Sequence, residues 1–212
     1  MRRRFLTAAT ILLGFSMAVS APAVVRDREA PVLQPIAVFS VKEFGASGVK
    51  TEKAREAIQK AVDACAEAGG GMVYLPPGEY TFGTIHLRSH VRFFIEAGAT
   101  LFASRDKQDY DKEALFYGED LDNITIEGRG LVEGQSEYEW RLNDIDDRFI
   151  RDNQLLMEAA GKPLLRSFPK PNALPRMVLL LRCKDVRIAG LSFMHSPSWT
   201  INPVRCKNVR IH

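Results

Sequence analysis

Cysteine, histidine and tryptophan are scarce in this chain, and each shortage excludes a class of protein. Among 212 residues there are three cysteines, four histidines and two tryptophans. Three cysteines are too few for a small fold held together by disulfides. The histidines do not fall at the spacing of metal ligands, so the sequence predicts neither a metal site nor a cofactor.

An excess of charge is also missing once the first residues are set aside. Met1–Arg4 is basic and Phe5–Val19 is apolar, which is the pattern of a secretory signal peptide, and we place it at residues 1–23. Without its three arginines the chain has 26 basic and 26 acidic side chains. Composition therefore does not support a nucleic-acid partner. The apolar stretch is too short for a good membrane span.

We predict export to the periplasm or the medium, with no stable membrane anchor after the signal is cleaved. The run Arg2–Leu6 is similar to a bacterial twin-arginine signal, and an arginine-rich general secretion signal fits equally well. Residues 24–37, with Pro31 and Pro35, are predicted to be an extended linker. The ordered domain is expected to begin at Val38.

Asn-Gly and Asp-Gly, the dipeptides that form tight hairpin turns, are absent, whereas strand-like segments are frequent. Two of these segments, Arg182–Ile188 and Arg205–Ile211, are identical at six of seven positions and are offset by 23 residues. A strand motif that repeats at this interval is typical of a solenoid with stacked coils. We therefore predict an all-β fold, a right-handed parallel β-helix over residues 38–212, in preference to a sandwich.

Other short strands are predicted between glycine and proline turns. They are residues 72–75, 84–87, 91–95, 100–102, 124–126 and 130–132. One four-residue pattern recurs: a polar residue, then Val or Ile, then any residue, then an apolar residue. Its four copies begin at His90, Asn123, Asp185 and Asn208. The unequal spacing of these four copies is expected when some turns of a solenoid carry insertions.

One amphipathic helix is predicted before the strands. Thr51 is a reasonable N-cap, apolar residues follow at helical spacing as far as Cys65, and Gly69–Gly71 ends the helix. Such a helix would cover the exposed end of the first coil. Residues 137–176 break the strand rhythm with a charged insertion, which has a helical pattern over Asp152–Ala160.

The two cysteines of the repeat would lie on adjacent coils. Equivalent backbone positions in neighbouring strands are roughly 4.8 Å apart, a distance that permits a disulfide between Cys183 and Cys206. Buried free thiols are the alternative, since cysteine is often buried without being bridged. Cys65 is predicted to be a small core residue of the helix.

A further set of motifs carries a family resemblance. They are Phe44–Ala46, Ala57–Ala61, Gly69–Tyr80, Glu96–Leu101, Ile126–Gly130 and, most specific, Ser196–Val204 with Cys206 and Asn208–Val209. Together they resemble the pectin-degrading glycoside hydrolases of family 28, the polygalacturonase family. The resemblance covers residues 38–212. It implies an enzyme that hydrolyses α-linked galacturonan with inversion, so the expected partner is a galacturonan-like polysaccharide.

The resemblance also implies where the catalytic residues should be. In that family, aspartates occupy an Asn-Thr-Asp-Gly motif and an Asp-Asp pair, and Gly-His-Gly and Arg-Ile-Lys follow. Three of these motifs do not occur here, and the one Asp-Asp pair, Asp146–Asp147, lies in the charged insertion. We therefore predict no catalytic residue in this chain. We interpret it as the N-terminal part of a glycosidase, incomplete at its C-terminus and inactive by itself.

Three residues in or directly before the most specific motif are the candidates for substrate binding: His195, Ser198 and Trp199. A tryptophan ring can stack on a sugar, but a core tryptophan and a hydrogen-bonded turn histidine are the alternative. The insertion offers a second set, namely Glu137, Glu139, Asp144, Asp146 and Asp147 as acid, base or Ca²⁺ ligands, with Tyr138 and Trp140 as stacking rings. For that set, a solvated charged face is the more ordinary interpretation.

Functions from other classes remain open at this point. A non-catalytic β-helix module that binds polysaccharide or mediates assembly would share the same scaffold. A pectate lyase is a third possibility, and calcium dependence would distinguish it.

Overall fold

The structure is a computed structural model that describes residues 36–162 and 175–212, without the side chains of residues 138–147. The predicted signal peptide and nearly all of the predicted linker lie outside the described residues. So do residues 163–174 of the insertion.

The described residues form fourteen strands and two α-helices. In chain order they are β1 Val38–Ser40, α1 Arg55–Glu67, β2 Gly71–Leu75, β3 Gly78–Phe82, β4 Ile85–His86, β5 Val91–Ile95, β6 Ala99–Ala103, β7 Ala114–Glu119, β8 Asp122–Gly128, β9 Leu131–Glu133, α2 Ser136–Ala159, β10 Arg176–Leu181, β11 Lys184–Ala189, β12 Ser192–Met194, β13 Ile201–Val204 and β14 Lys207–Ile211. Short 3₁₀ helices span Val41–Phe44 and Lys107–Asp109.

The strands form three sheets, and every strand pair is parallel. Sheet 1 has the order β1-β2-β5-β8-β11-β14, sheet 2 the order β3-β6-β9-β12, and sheet 3 the order β4-β7-β10-β13. From β2 onward the chain visits sheets 1, 2 and 3 in turn, so each circuit adds one strand to each sheet. The predicted right-handed parallel β-helix is confirmed.

The core is a set of apolar stacks that run from coil to coil inside the solenoid. Strands alternate buried and more exposed side chains because successive residues point to opposite faces. In sheet 1 the buried stack is Val73, Phe93, Ile126 and Ile188, and in sheet 3 it is Ile85, Phe116 and Val178. Ile201 on β13 and Ile211 on β14 continue these rows, but Ile201 is only partly buried and Ile211 is exposed. These stacks hold the coils in register, since a shift by one residue would turn the apolar side chains outward.

The four recurring polar positions found in the sequence form a column where each coil enters sheet 1. His90, Asn123, Asp185 and Asn208 all have positive φ, between 53° and 64°. Histidine, asparagine and aspartate are enriched in this left-handed conformation, so the residue types fit the turn. Asn208 donates a side-chain hydrogen bond to Asp185, which links two adjacent coils.

Glycine is required where coils come closest together. Gly128 has φ +139°, and a Cβ at this position would collide with the carbonyl oxygen of Ile95. The amide nitrogens of the next two residues donate to that same oxygen, so the chain of one coil lies directly against the coil before it. The close approach of the two coils therefore explains why the Ile126–Gly130 motif has glycine at position 128.

The predicted cap is present as α1, which packs against β1, β2, β4 and β5. Its buried face consists of Ala57, Ile58, Ala61, Val62 and Cys65. The predicted N-cap at Thr51 is wrong, because the helix begins only at Arg55. Lys53 forms a β-bridge with Thr81, and the Ala54 amide donates to the Thr81 carbonyl, so the chain stays tied to the first coil until that point.

The insertion between β9 and β10 contains a longer helix than its sequence pattern predicted. The pattern covered Asp152–Ala160, whereas α2 spans Ser136–Ala159. No helix in the described part of the chain is long and apolar enough to cross a membrane.

Cys183 and Cys206 occupy equivalent positions on adjacent coils, as the repeat predicted. The residues that follow them, Lys184 and Lys207, are register partners. Both cysteines are free thiols in the structure. Burial raises the pKa of the Cys183 thiol.

Candidate functional site

The outer face of sheet 3 brings together polar and aromatic side chains from four coils. His86, Tyr117, Leu179 and Asn202 are register partners on successive strands. The residues just before them in sequence, among them Ile85, Phe116 and Val178, are fully buried, so these four point away from the core. We call this surface the sheet-3 face.

One end of the sheet-3 face is a cluster of charges around Asp111. The carboxylate lies 2.8 Å from His86 Nε2 and 3.5 Å from a terminal nitrogen of Arg55. Burial alone would raise the pKa of Asp111, but the hydrogen bond with His86 and the charges of His86 and Arg55 lower it on balance. Asp111 is therefore a carboxylate held in its ionised form.

Next to this cluster, Tyr117 is the most buried polar ring of the face. It packs edge-on against His86, with ring centroids 5.6 Å apart, and the Lys112 ammonium lies 5.1 Å from its centroid. Its hydroxyl donates to Glu119, and that bond together with burial raises the pKa of Tyr117 to about 12. The phenol therefore stays protonated at neutral pH and acts as a hydrogen-bond donor to Glu119, not as a general base.

Arg182 links the end of this face to the turn that follows it. Its guanidinium donates to Glu119 at 2.6 Å and to both oxygens of Asp120 at 2.6 and 2.7 Å. These hydrogen bonds raise the pKa of Arg182. They also lower the pKa of Asp120. The pKa of Glu119 is lowered by its hydrogen bonds from Tyr117 and Arg182.

Two of the three predicted binding residues lead into the sheet-3 face. Trp199 and Ser198 lie just before β13, and the carbonyl oxygen of Trp199 accepts a hydrogen bond from the Met177 amide at 3.2 Å. The Trp199 side chain is 68% exposed, so the alternative of a core tryptophan does not hold. Ser198 is half-buried, and its carbonyl oxygen accepts from the Ser196 hydroxyl.

His195, the third predicted residue, lies elsewhere, in a pocket of about 270 Å³ beside the end of sheet 2. Its Nδ1 is 2.9 and 3.0 Å from the two oxygens of Glu133, so the alternative of a hydrogen-bonded turn histidine holds. The hydrogen bond and the charge of Glu133, with a contribution from Glu137, raise the pKa of His195. The pocket lining is Lys50, Phe102, Arg105, Glu133, Gln135, Glu137 and His195.

The acidic set of the insertion is only partly within the described residues. Glu137 is exposed at the start of α2. The side chains of Tyr138, Glu139, Trp140, Asp144, Asp146 and Asp147 lie outside the described residues. Among the side chains that the structure describes, no group of three or more His, Cys, Asp or Glu residues could hold a metal ion.

Sequence reasoning missed the residues that make up most of the sheet-3 face. His86, Tyr117 and Asp111 match no motif, and the spacing of the histidines speaks only against a metal site. Their one local signal is a polar or aromatic residue alternating with fully buried ones, as in Phe116–Tyr117. That alternation indicates that a residue faces outward. It does not indicate which side chains on neighbouring coils the residue contacts.

The family follows from comparison with known proteins. Residues 38–159 match the family described as rhamnogalacturonase A/epimerase, pectate lyase-like. The chain belongs to this family. The predicted resemblance to the polygalacturonases of glycoside hydrolase family 28 is likewise confirmed by relatives within that enzyme class.

Among those relatives, a probable polygalacturonase from Vitis vinifera is 25% identical over 195 residues, which cover 81% of this chain and 35% of that protein. An exopolygalacturonase from Platanus acerifolia is 30% identical over 174 residues, covering 78% and 45%. The solved structure of a hyperthermoactive exopolygalacturonase from Thermotoga maritima has a TM-score of 0.68 and 26% identity, covering 84% and 46%. The chain thus spans less than half the length of each of these relatives.

Proposed function

We propose that this family member serves as part of an exported polygalacturonase-type glycoside hydrolase, and that its sheet-3 face binds a galacturonan-like polysaccharide. The observation that carries the proposal is the exposed Trp199, which directly precedes β13 in the same sheet that holds Tyr117 on β7 and His86 on β4. Aromatic rings are suited to the apolar faces of sugars. The polygalacturonase relatives support the choice of a galacturonan as the polysaccharide.

The sheet-3 face offers an acidic sugar several cationic groups, two of which, Arg55 and Arg182, also contact carboxylates of the protein. Arg55, Lys112 and Arg182 supply cationic groups along its edges. Arginine and lysine are the usual partners of carboxylates, and each galacturonate unit has one carboxylate. We expect the sugar carboxylates to compete for the outer sides of these cations.

The same face is poorly suited to general acid catalysis within the described residues. A general acid in an inverting glycosidase needs a carboxyl group with a raised pKa. Asp111 and Glu119 instead have lowered pKa values because cationic groups or hydrogen-bond donors hold each of them as the anion. We infer that this part of the protein binds the polymer, and that inverting hydrolysis requires carboxylates other than those that the described side chains bring to this face.

Export and cleavage of residues 1–23 belong to the same proposal. A protein that acts on an extracellular polysaccharide must leave the cytoplasm. The basic and then apolar start of the chain has the pattern of a signal peptide that would direct this export. Mass spectrometry of the protein recovered from a bacterial periplasm or culture medium would test this. A mature N-terminus at or near residue 24 is expected, and an intact Met1 in the cytoplasm would count against it.

Trp199→Ala is the variant that tests the binding face. Loss of one aromatic stacking partner is worth about 0.5–1.5 kcal/mol, so we expect galacturonate oligomers to bind roughly threefold to tenfold more weakly. Calorimetric titration of the 212-residue chain measures this directly. The matched control is Phe149→Ala, which removes another exposed aromatic side chain, on α2, and should not change the affinity.

A reducing-end assay on polygalacturonate separates the two functions that share this scaffold. We expect binding without release of reducing ends, as for a polymer-binding part of a glycosidase. Release of reducing ends by the purified chain would overturn the prediction that this chain contains no catalytic residue. An unchanged affinity in Trp199→Ala would overturn the binding face itself.

A further inference from the structure

The outer face of sheet 1 is a second ordered surface, made of strands other than those of the sheet-3 face. Residues that point inward from it, such as Phe93 and Ile126, are fully buried, so their neighbours point outward. Two outward rows run across the coils in register. They are Met72, Arg92, Thr125, Arg187 and Arg210, and beside them Tyr74, Phe94, Glu127 and Ala189.

The centre of this face has more positive than negative charge. Glu127 is only 15% exposed and is contacted by Arg92 from one side and by Arg187, at 3.3 Å, from the other. One carboxylate therefore neutralises one of two guanidiniums. Arg129 and Arg210 are exposed at the same face and add further positive charge.

Aromatic rings lie directly beside these arginines. Tyr74 and Phe94 are stacked with ring centroids 6.3 Å apart, and the Arg92 guanidinium lies 5.4 Å from the Phe94 centroid. Arg92, Arg129, Arg187 and Phe94 line an open groove of about 530 Å³, with Glu127 among them.

We propose that this groove is a surface-binding site for a uronate-type acidic polysaccharide, separate from the sheet-3 face. A sugar carboxylate would accept hydrogen bonds from Arg187 and Arg129, whose planar guanidiniums match carboxylate geometry. The ring of the same sugar would lie against Phe94. The choice of a uronate over other anions rests on the proposed function, whereas the groove and its charge do not.

The arrangement of the arginines suits a polymer rather than a single small anion. Arg187 and Arg210 are register partners on adjacent coils, and such partners are roughly 4.8 Å apart along the solenoid axis. A polymer that crosses the coils would therefore meet Arg210 and Arg187 in succession, and Arg92 beyond Thr125. Without residues 1–23 the chain has balanced charge overall, so the excess of positive charge is local to this face.

The test is the double variant Arg129→Gln/Arg187→Gln in the 212-residue chain. Glu127 keeps its contact with Arg92 in this variant, so the fold should be retained, and circular dichroism would verify that. Two exposed charged contacts together support an expected loss of about tenfold in the affinity for trigalacturonate. The matched control is Lys42→Gln/Lys60→Gln, which removes two exposed cations near the capped end and should bind as the unmodified chain does.

Repeating the measurement in Trp199→Ala separates the two binding proposals. If the two arginine substitutions lower the affinity for trigalacturonate by a similar factor in the unmodified chain and in Trp199→Ala, the sheet-1 site is independent of Trp199. A double variant that binds like its lysine control overturns the sheet-1 site, even if Trp199→Ala weakens binding. The sheet-1 site is also overturned if duplex DNA binds more tightly than trigalacturonate and loses the same affinity in the double variant.

Discussion

Phe116→Ala is the most direct test of the stacked core that positions both faces. Phe116 is fully buried on β7 and packs against Phe82 and Phe93, with ring centroids 5.4 and 5.3 Å away. Truncating a buried phenylalanine costs about 3–5 kcal/mol, because apolar area is lost and a cavity remains. Because this ring also loses two aromatic neighbours, we expect about 4 kcal/mol of lost unfolding free energy.

Urea denaturation followed by circular dichroism measures that loss. For a chain of this size a change of 1 kcal/mol shifts Tm by about 2–4 °C, so a decrease of about 8–16 °C should accompany it. Phe149→Ala is the control, since the same truncation at a residue that is 45% exposed should cost less than about 1 kcal/mol. Equal losses in the two variants would refute the stacked arrangement of Phe82, Phe93 and Phe116.

Two further predictions concern a turn and an ion pair. Gly128→Ala should lower the unfolding free energy by at least about 1 kcal/mol more than Gly161→Ala does. Both glycines have positive φ, but only at Gly128 would a Cβ collide with backbone. Equal losses of unfolding free energy in urea denaturation would contradict this. The His195–Glu133 pair should stabilise the fold fully below pH 6.5 and lose this effect as pH rises through the raised pKa of His195. An NMR titration should show Glu133→Gln returning that pKa toward 6.5, and an unchanged pKa would exclude Glu133 as the cause.

The coil-to-coil repeat was predictable because it is a local pattern. Alternation of apolar and polar residues identifies a strand and its buried face within five or six residues. Asn123, Asp185 and Asn208 also mark the start of their strands, where each is the second residue, since their residue types tolerate positive φ. The start of α1 was not predictable in this way, because the bridge between Lys53 and Thr81, rather than a capping side chain, determines it.

The candidate site was predictable only in part. Trp199 and Ser198 were found because they lie in a specific motif, and in the structure they directly precede β13 of sheet 3. His195 directly precedes the same motif, but it turns toward Glu133 at the end of sheet 2. Three neighbours in sequence were thus divided between two surfaces, because the chain changes sheet between β12 and β13.

The sequence by itself determined that this chain winds into stacked coils, since each strand, turn and cap is specified by residues close to one another. Only the tertiary structure decided which side chains share a surface. His86 meets Tyr117 across 31 residues of sequence, and Arg92 meets Glu127 across 35. The physical reason is that register between coils depends on how buried stacks such as Val73, Phe93 and Ile126 fit together, and no short segment contains that fit.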